Sequence, residues 1–188
     1  MRYKDVLTRV WIAIVLSGLA SACDTTASRL DAEAETCELA LKIGDLELAE
    51  ETCQRALGNA GDDILAPQVR SERLYNLAKI KRQRSRYAEA AELLNQSLAL
   101  EQMLSGPDSP QVAGRRLEMS LILAGLGRWQ EGVRLLEQTV PMAIHLNEKE
   151  RDSLVNILQQ YAAQLQKSQQ IEQASHLQAA AASLKQKK

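Results

Sequence analysis

Apolar side chains recur along this chain in the three-to-four-residue rhythm of helices, and no segment alternates in the manner of a half-buried strand. The rhythm stops at Gly44-Asp45, across Gly58–Asp63, through Ser105-Gly106-Pro107-Asp108-Ser109-Pro110 and at Pro141. Between those breaks it predicts helices over about 30–43, 46–57, 66–84, 86–104, 110–126, 129–140, 148–167 and 171–185. Ser28 is the expected cap of the first, with Asp31 near the positive end of the helix dipole. Pro67 suits a first turn, where its missing N–H costs nothing. Pro141 should kink or end its helix, and Asn147-Glu148-Lys149-Glu150 has the form of a capping box.

One stretch of this pattern occurs twice. Ser85-Arg86-Tyr87-Ala88-Glu89-Ala90-Ala91-Glu92-Leu93-Leu94 is echoed by Gly127-Arg128-Trp129-Gln130-Glu131-Gly132-Val133-Arg134-Leu135-Leu136. Tyr87 and Trp129 lie 42 residues apart, and Ile171 follows 42 later. Pro-Gln-Val at 67–69 and again at 110–112 marks one point in consecutive units. A fixed period of this size indicates stacked units, each too small to bury its own apolar face. Four units are expected, at about 30–58, 66–104, 110–146 and 148–185.

These residues resemble tetratricopeptide (TPR) repeats in the longer, kinesin-light-chain-like form. The Gly-Pro-Asp-Ser-Pro linker at 106–110 is similar to one found between such units. The resemblance implies an all-α, right-handed superhelix of about four antiparallel helix pairs. Small residues should meet within each pair: Cys37 with Ala49, Ala78 with Ala90, Ser120 with Gly132 and Ala162 with Ala174. Lys81, where an apolar residue is usual, and Ile171, where an aromatic is usual, depart from the pattern. The resemblance also implies a concave groove lined by first helices: Glu35 and Glu38; Tyr75, Asn76, Lys79 and Arg82; Leu117 and Leu121; Gln159 and Gln160. Asn76 matches the family's peptide-contacting Asn. The set that clamps a terminal carboxylate is incomplete, so that ligand is not implied.

The start of the chain has a different character. Arg2, Lys4 and Arg9 precede an uncharged run from Val10 to Ala22, the anatomy of a secretory signal. As a helix the run rises only about 20 Å, short of the roughly 30 Å hydrocarbon core. Leu19-Ala20-Ser21-Ala22-Cys23 resembles the lipobox of bacterial lipoproteins, which implies cleavage after residue 22 and acyl chains, palmitate among them, on Cys23. An ordinary secretory signal followed by an incidental Cys is the alternative. Asp24 resembles an inner-membrane retention signal, with the outer membrane the other possibility. The expected organisation is therefore signal peptide 1–22, lipidated Cys and polar tether 23–29, and repeat domain 30–185, tethered in the cell envelope and facing the periplasm.

Composition agrees with helices: apolar residues make up 45%, aromatics 3%, and Phe is absent. The formal net charge is −1. Without residues 1–22, which include Arg2, Lys4, Arg9 and Asp5, 20 basic and 23 acidic side chains remain, a net −3. That balance, without aromatic interleaving, argues against nucleic acid. Five cations at Lys79, Lys81, Arg82, Arg84 and Arg86 read either as a solvated helix end or as a contact for anionic lipid. Cys37 and Cys53 fall on the two helices of the first unit. An oxidising compartment would allow a disulfide between them; two buried thiols are the alternative.

His145 and His176 are isolated from any metal-ligand spacing, nucleophile or phosphate loop. No cofactor and no catalysis are expected. The sequence therefore points to a membrane-anchored envelope adaptor that holds a segment of another protein in its groove. A structural or lipid-associated spacer using segment 79–86 is the alternative.

Overall fold

A computed structural model describes residues 26–58 and 65–186. The signal segment 1–22, Cys23, Asp24 and most of the Gly58–Asp63 loop lie outside the described residues. The chain divides into two compact units, Met1–Ala66 and Pro67–Lys188, and among the described residues there is no strand.

The first unit is one antiparallel hairpin of α1 (26–43) and α2 (Leu46–Leu57). Helix α1 already runs at residue 26, so Ser28 is an interior helical residue and not the expected cap. Nothing in Thr26-Ala27-Ser28-Arg29 breaks a helix, and the polar tether is helical from there on. At the turn Gly44 takes φ +80°, and Asp45 caps α2 by accepting a hydrogen bond from the Leu48 N–H at 3.0 Å. The hairpin buries small residues for the most part: Leu30, Cys37 and Ala40 from α1, and Ala49, Cys53 and Ala56 from α2. A disulfide joins Cys37 to Cys53 with the Cα atoms 5.1 Å apart. Glu33 of α1 pairs with Arg55 of α2 at 2.9 Å, and that bond holds the guanidinium above its ordinary pKa.

The second unit contains three helix pairs: α3 (Pro67–Gln83) with α4 (Tyr87–Ser105), α5 (Pro110–Gly125) with α6 (Trp129–Thr139), and α7 (Glu148–Lys167) with α8 (Ile171–Gln186). Helices α3, α5 and α7 touch in succession along one side. Ser109 caps α5 through the Val112 N–H at 3.2 Å, with Pro110 at the first helical position. Pro141 ends α6 as expected, and the chain continues as a 3-10 turn over Val140–His145. The capping box then starts α7: Asn147 Oδ1 accepts from the Glu150 N–H at 2.9 Å, and Glu150 Oε2 accepts from the Asn147 N–H at 3.1 Å.

The repeat is written into the backbone as well as into the side chains. Gly44, Ser85, Gly127 and Gln169 stand 41 or 42 residues apart, and each has φ between +60° and +80°. Each closes the turn inside a helix pair with the same two bonds: its own N–H to the carbonyl three residues back, and the next N–H to the carbonyl five back from that residue. A left-handed residue at this point caps the first helix and reverses the chain.

The expected small-residue partners are all buried in this arrangement. Gly132 shows why size matters there: a Cβ on it would lie 1.9 Å from the Tyr161 hydroxyl. That hydroxyl donates to the Ser120 carbonyl at 2.6 Å, and the Tyr161 ring meets Trp129 edge-on, with centroids 5.0 Å apart. Helix α8 buries the single stripe Ala174, Leu177, Ala181 and Leu184 and turns a mostly polar face outward. That is the form of a terminal cap on a stack.

Candidate functional site

Residues four apart on a helix share a face, and the side where α3, α5 and α7 follow one another presents such a stripe. Gly114, Leu117, Glu118 and Leu121 of α5 form the middle of a depression of about 280 Å³. Tyr75 of α3 closes one side. The other is formed by the start of α7, with Glu150, Ser153 and Ile157, and by Asn147 and Lys149. Leu117 and Ile157 are buried beneath it and Leu121 is half-buried, so the floor is apolar and the rim polar. A second, more open hollow of about 630 Å³ shares Asn147, Lys149 and Ser153 and adds Glu148, Asp152 and Asn156.

The walls are braced by charges. Arg82 donates to Glu118 Oε1, and the Glu118 side chain is only 9% exposed. Lys79 Nζ lies 4.5 Å from the centre of the Tyr75 ring, and the Arg115 guanidinium lies 5.0 Å from it. Both are within cation–π range. Burial, with a further push from Glu118, raises the Tyr75 phenol to about 12.

Beneath Tyr75, Arg115 enters the interface of three helices at 4% side-chain exposure. Its Nε donates to Ser97 Oγ at 2.8 Å, and its Nη2 lies 3.0 Å from Glu101 Oε2 and 3.1 Å from Glu72 Oε2. The Ser71 hydroxyl accepts from Nη2 at 3.2 Å and donates to Glu101 at 3.1 Å, and Ser97 Oγ donates to the Ser71 carbonyl at 2.7 Å. Buried polar groups are tolerable when all are bonded, and here the set ties α3, α4 and α5 behind the groove.

Compared with known proteins, no family model and no curated relative matches the chain. Solved structures do. A Podosopora anserina protein named as a kinesin light chain, with nearly identical TPR-like repeats, matches with a TM-score of 0.64 at 23% identity, over 85% of this chain and 76% of its own. A point variant of that protein gives 0.66 at the same identity and coverage. BtubC (BKLC) from P. vanneervenii gives 0.64 at 13% identity, over 89% of this chain and 72% of its own. The fold is that of TPR-like repeats.

Within the TPR-like frame the expected groove residues separate. Tyr75, Leu117 and Leu121 line the depression together, while Lys79 and Arg82 brace it from the side. Asn76 is half-buried and outside the lining; Gln159 and Gln160 are exposed and also outside it. Glu35 and Glu38 are exposed on α1 of the first unit. Glu118, Gly114 and the first turns of α7 were not anticipated. The capping box carries the only sequence signal for the latter, because it fixes where α7 begins.

The basic run 79–86 does not form the continuous exposed cationic surface that the lipid reading needs. Lys81 is buried at 5% exposure and bonds Glu89 at 3.0 Å, so it fills a slot usual for an apolar residue by sending its ammonium to an acid. Arg86 also pairs with Glu89, at 2.6 Å, and these two cations, Arg86 first, hold Glu89 below the usual carboxylate range. Arg82 is taken by Glu118. His176 lies 4.0 Å from Glu137 on an exposed surface. Among the described residues no group of His, Cys, Asp or Glu is placed to hold a metal, and no helix is long and apolar enough to cross a membrane.

Proposed function

We propose that the chain is a docking adaptor. The groove between α3, α5 and α7 captures a segment of another protein, and an acylated Cys23 holds the molecule at a membrane of the cell envelope. The observation that carries the docking reading is the depression itself: a partly open apolar floor of Leu117, Leu121 and Ile157 under a polar rim. Burial of a partner's apolar side chain on that floor supplies affinity, and rim hydrogen bonds fix its register. Two of the three groove helices, α3 and α5, are pinned to each other by the Arg115 network, which limits the ordering required on binding. The neighbours' TPR-like fold is compatible with this role.

The test places a photoreactive residue at Ser153, on the rim, and at Gln178, on the outer face of α8, in cells expressing the full chain. The expected result is a discrete protein adduct from 153 and not from 178, lost when Leu121→Asp is added. Adducts identical from both positions, or indifferent to Leu121→Asp, would remove the groove from the account.

A further inference from the structure

We infer that the groove is selective for a cationic partner: a segment in which an apolar anchor side chain is accompanied, within about a helical turn, by Lys or Arg. This rests on the docking role proposed above and adds the chemistry of the occupant. Around the apolar floor and the adjoining hollow stand four carboxylates, Glu118, Glu148, Glu150 and Asp152, against the single ammonium of Lys149. Three further cations stand against the groove walls. Arg82 is bonded to Glu118, and Lys79 and Arg115 sit against the Tyr75 ring.

Two of these carboxylates, Glu118 and Glu150, use one oxygen each in the bonds that hold them in place. Glu118, 7% exposed, bonds Arg82 through Oε1, which leaves Oε2. Glu150 gives Oε2 to its capping box, while Oε1 lies 3.5 Å from the point where Gly114 would carry a Cβ. That oxygen therefore lies directly over the α5 surface at Gly114. A concave wall with an excess of one sign biases the field met by whatever enters. An ammonium or guanidinium beside the anchor gains from these acids, and a carboxylate in its place is repelled. An acidic or purely apolar segment is therefore the poorer fit.

The test uses the full chain in detergent micelles and three labelled amphipathic peptides that share their Leu positions and carry Lys, Gln or Glu on the flanking positions. Anisotropy titrations should rank them Lys, Gln, Glu, with the Lys peptide about tenfold tighter than the Gln peptide, the sum expected of a few partly exposed ion pairs. The preference should shrink in high salt. It should also close in the double variant Glu150→Gln, Asp152→Asn, through weaker binding of the Lys peptide. Gln at 150 can still complete the capping box, so the variant keeps the start of α7. Equal binding of the Lys and Gln peptides, both abolished by Leu121→Asp, would leave the docking role standing and overturn the charge selectivity. Preference for the Glu peptide would overturn it too. Absence of binding by all three, or binding indifferent to Leu121→Asp, would remove the docking role with it.

Discussion

Gly132 and Tyr161 illustrate how single residues hold adjacent helix pairs in register. The Tyr161 hydroxyl occupies the space a side chain at 132 would need and spends its hydrogen on the Ser120 carbonyl. Gly132→Ala should therefore cost about 1–3 kcal/mol, the usual range for overpacking a fixed site. At Gly125 a Cβ would meet the Tyr87 ring at 2.3 Å. Tyr87 is only half-buried and can swing aside, so Gly125→Ala should cost less. Urea denaturation of the two variants checks the order. The turn positions predict the opposite sign. Ser85 and Gln169 hold φ of 60° and 61° where Gly44 and Gly127 do the same with no Cβ. Ser85→Gly and Gln169→Gly should each stabilise by about 0.5–1 kcal/mol, since relief of left-handed strain exceeds the added chain entropy. No change in midpoint from either would mean that the turn is not strained.

At the scale of elements, two covalent or ionic ties replace the large apolar side chains this composition lacks. Arg115 joins α3, α4 and α5, and Glu101, its buried acid, has a side chain only 9% exposed. Arg115→Met leaves that acid without its guanidinium and should destabilise the second unit by about 3–5 kcal/mol, with Arg115→Lys milder because charge is kept and the fork is lost. Equal midpoints for Arg115→Met and the parent in urea would contradict this. In the first unit the disulfide spans 16 residues between two short helices with an Ala-rich interface. Its removal should cost about 2–4 kcal/mol, more than so small a hairpin can spare. Hydrogen exchange on Cys37→Ala, Cys53→Ala should show residues 26–57 losing protection while α3 to α8, with their own core, keep it. Retained protection in α1 and α2 would show the bond to be incidental. These elements also show what was legible beforehand. The breaks at Gly44, Gly106 and Pro141 and the caps at Asp45, Ser109 and Asn147 act locally, so helix ends were readable to within a few residues. Ser28 misled because a residue suited to capping is also tolerated inside a helix. The Arg115 network was not readable: Ser71, Ser97 and Arg115 are far apart in sequence and become partners only when three helices pack.

For the molecule as a whole, the groove was half visible. Repeat position located Tyr75, Leu117 and Leu121, but the α7 contribution depends on how the 3-10 turn after Pro141 delivers the capping box. The lining therefore falls on Glu150, Ser153 and Ile157, not on Gln159 and Gln160. Membrane attachment belongs to this scale too, and it rests on the proposed acylation of Cys23. No described helix is long and apolar enough to cross a membrane. Each buried CH₂ of an acyl chain contributes about 0.8 kcal/mol, and two or more chains hold a protein on a membrane almost permanently. In a bacterial host the full chain should sediment with membranes after carbonate washing and take up a clickable palmitate analogue. Cys23→Ser should do neither. A Cys23→Ser chain that resists carbonate would mean that residues 10–22 hold it by themselves, and an unlabelled soluble parent would dismiss the anchor altogether. Structural bridges persist outside the reducing cytoplasm, so the redox state of Cys37 and Cys53 in cells tests the same proposed placement. Thiol alkylation should find Cys37 and Cys53 blocked in the full chain and reactive in a chain lacking residues 2–22. Reactive thiols in both would place the molecule in the cytoplasm and deny it the compartment on which the anchor depends.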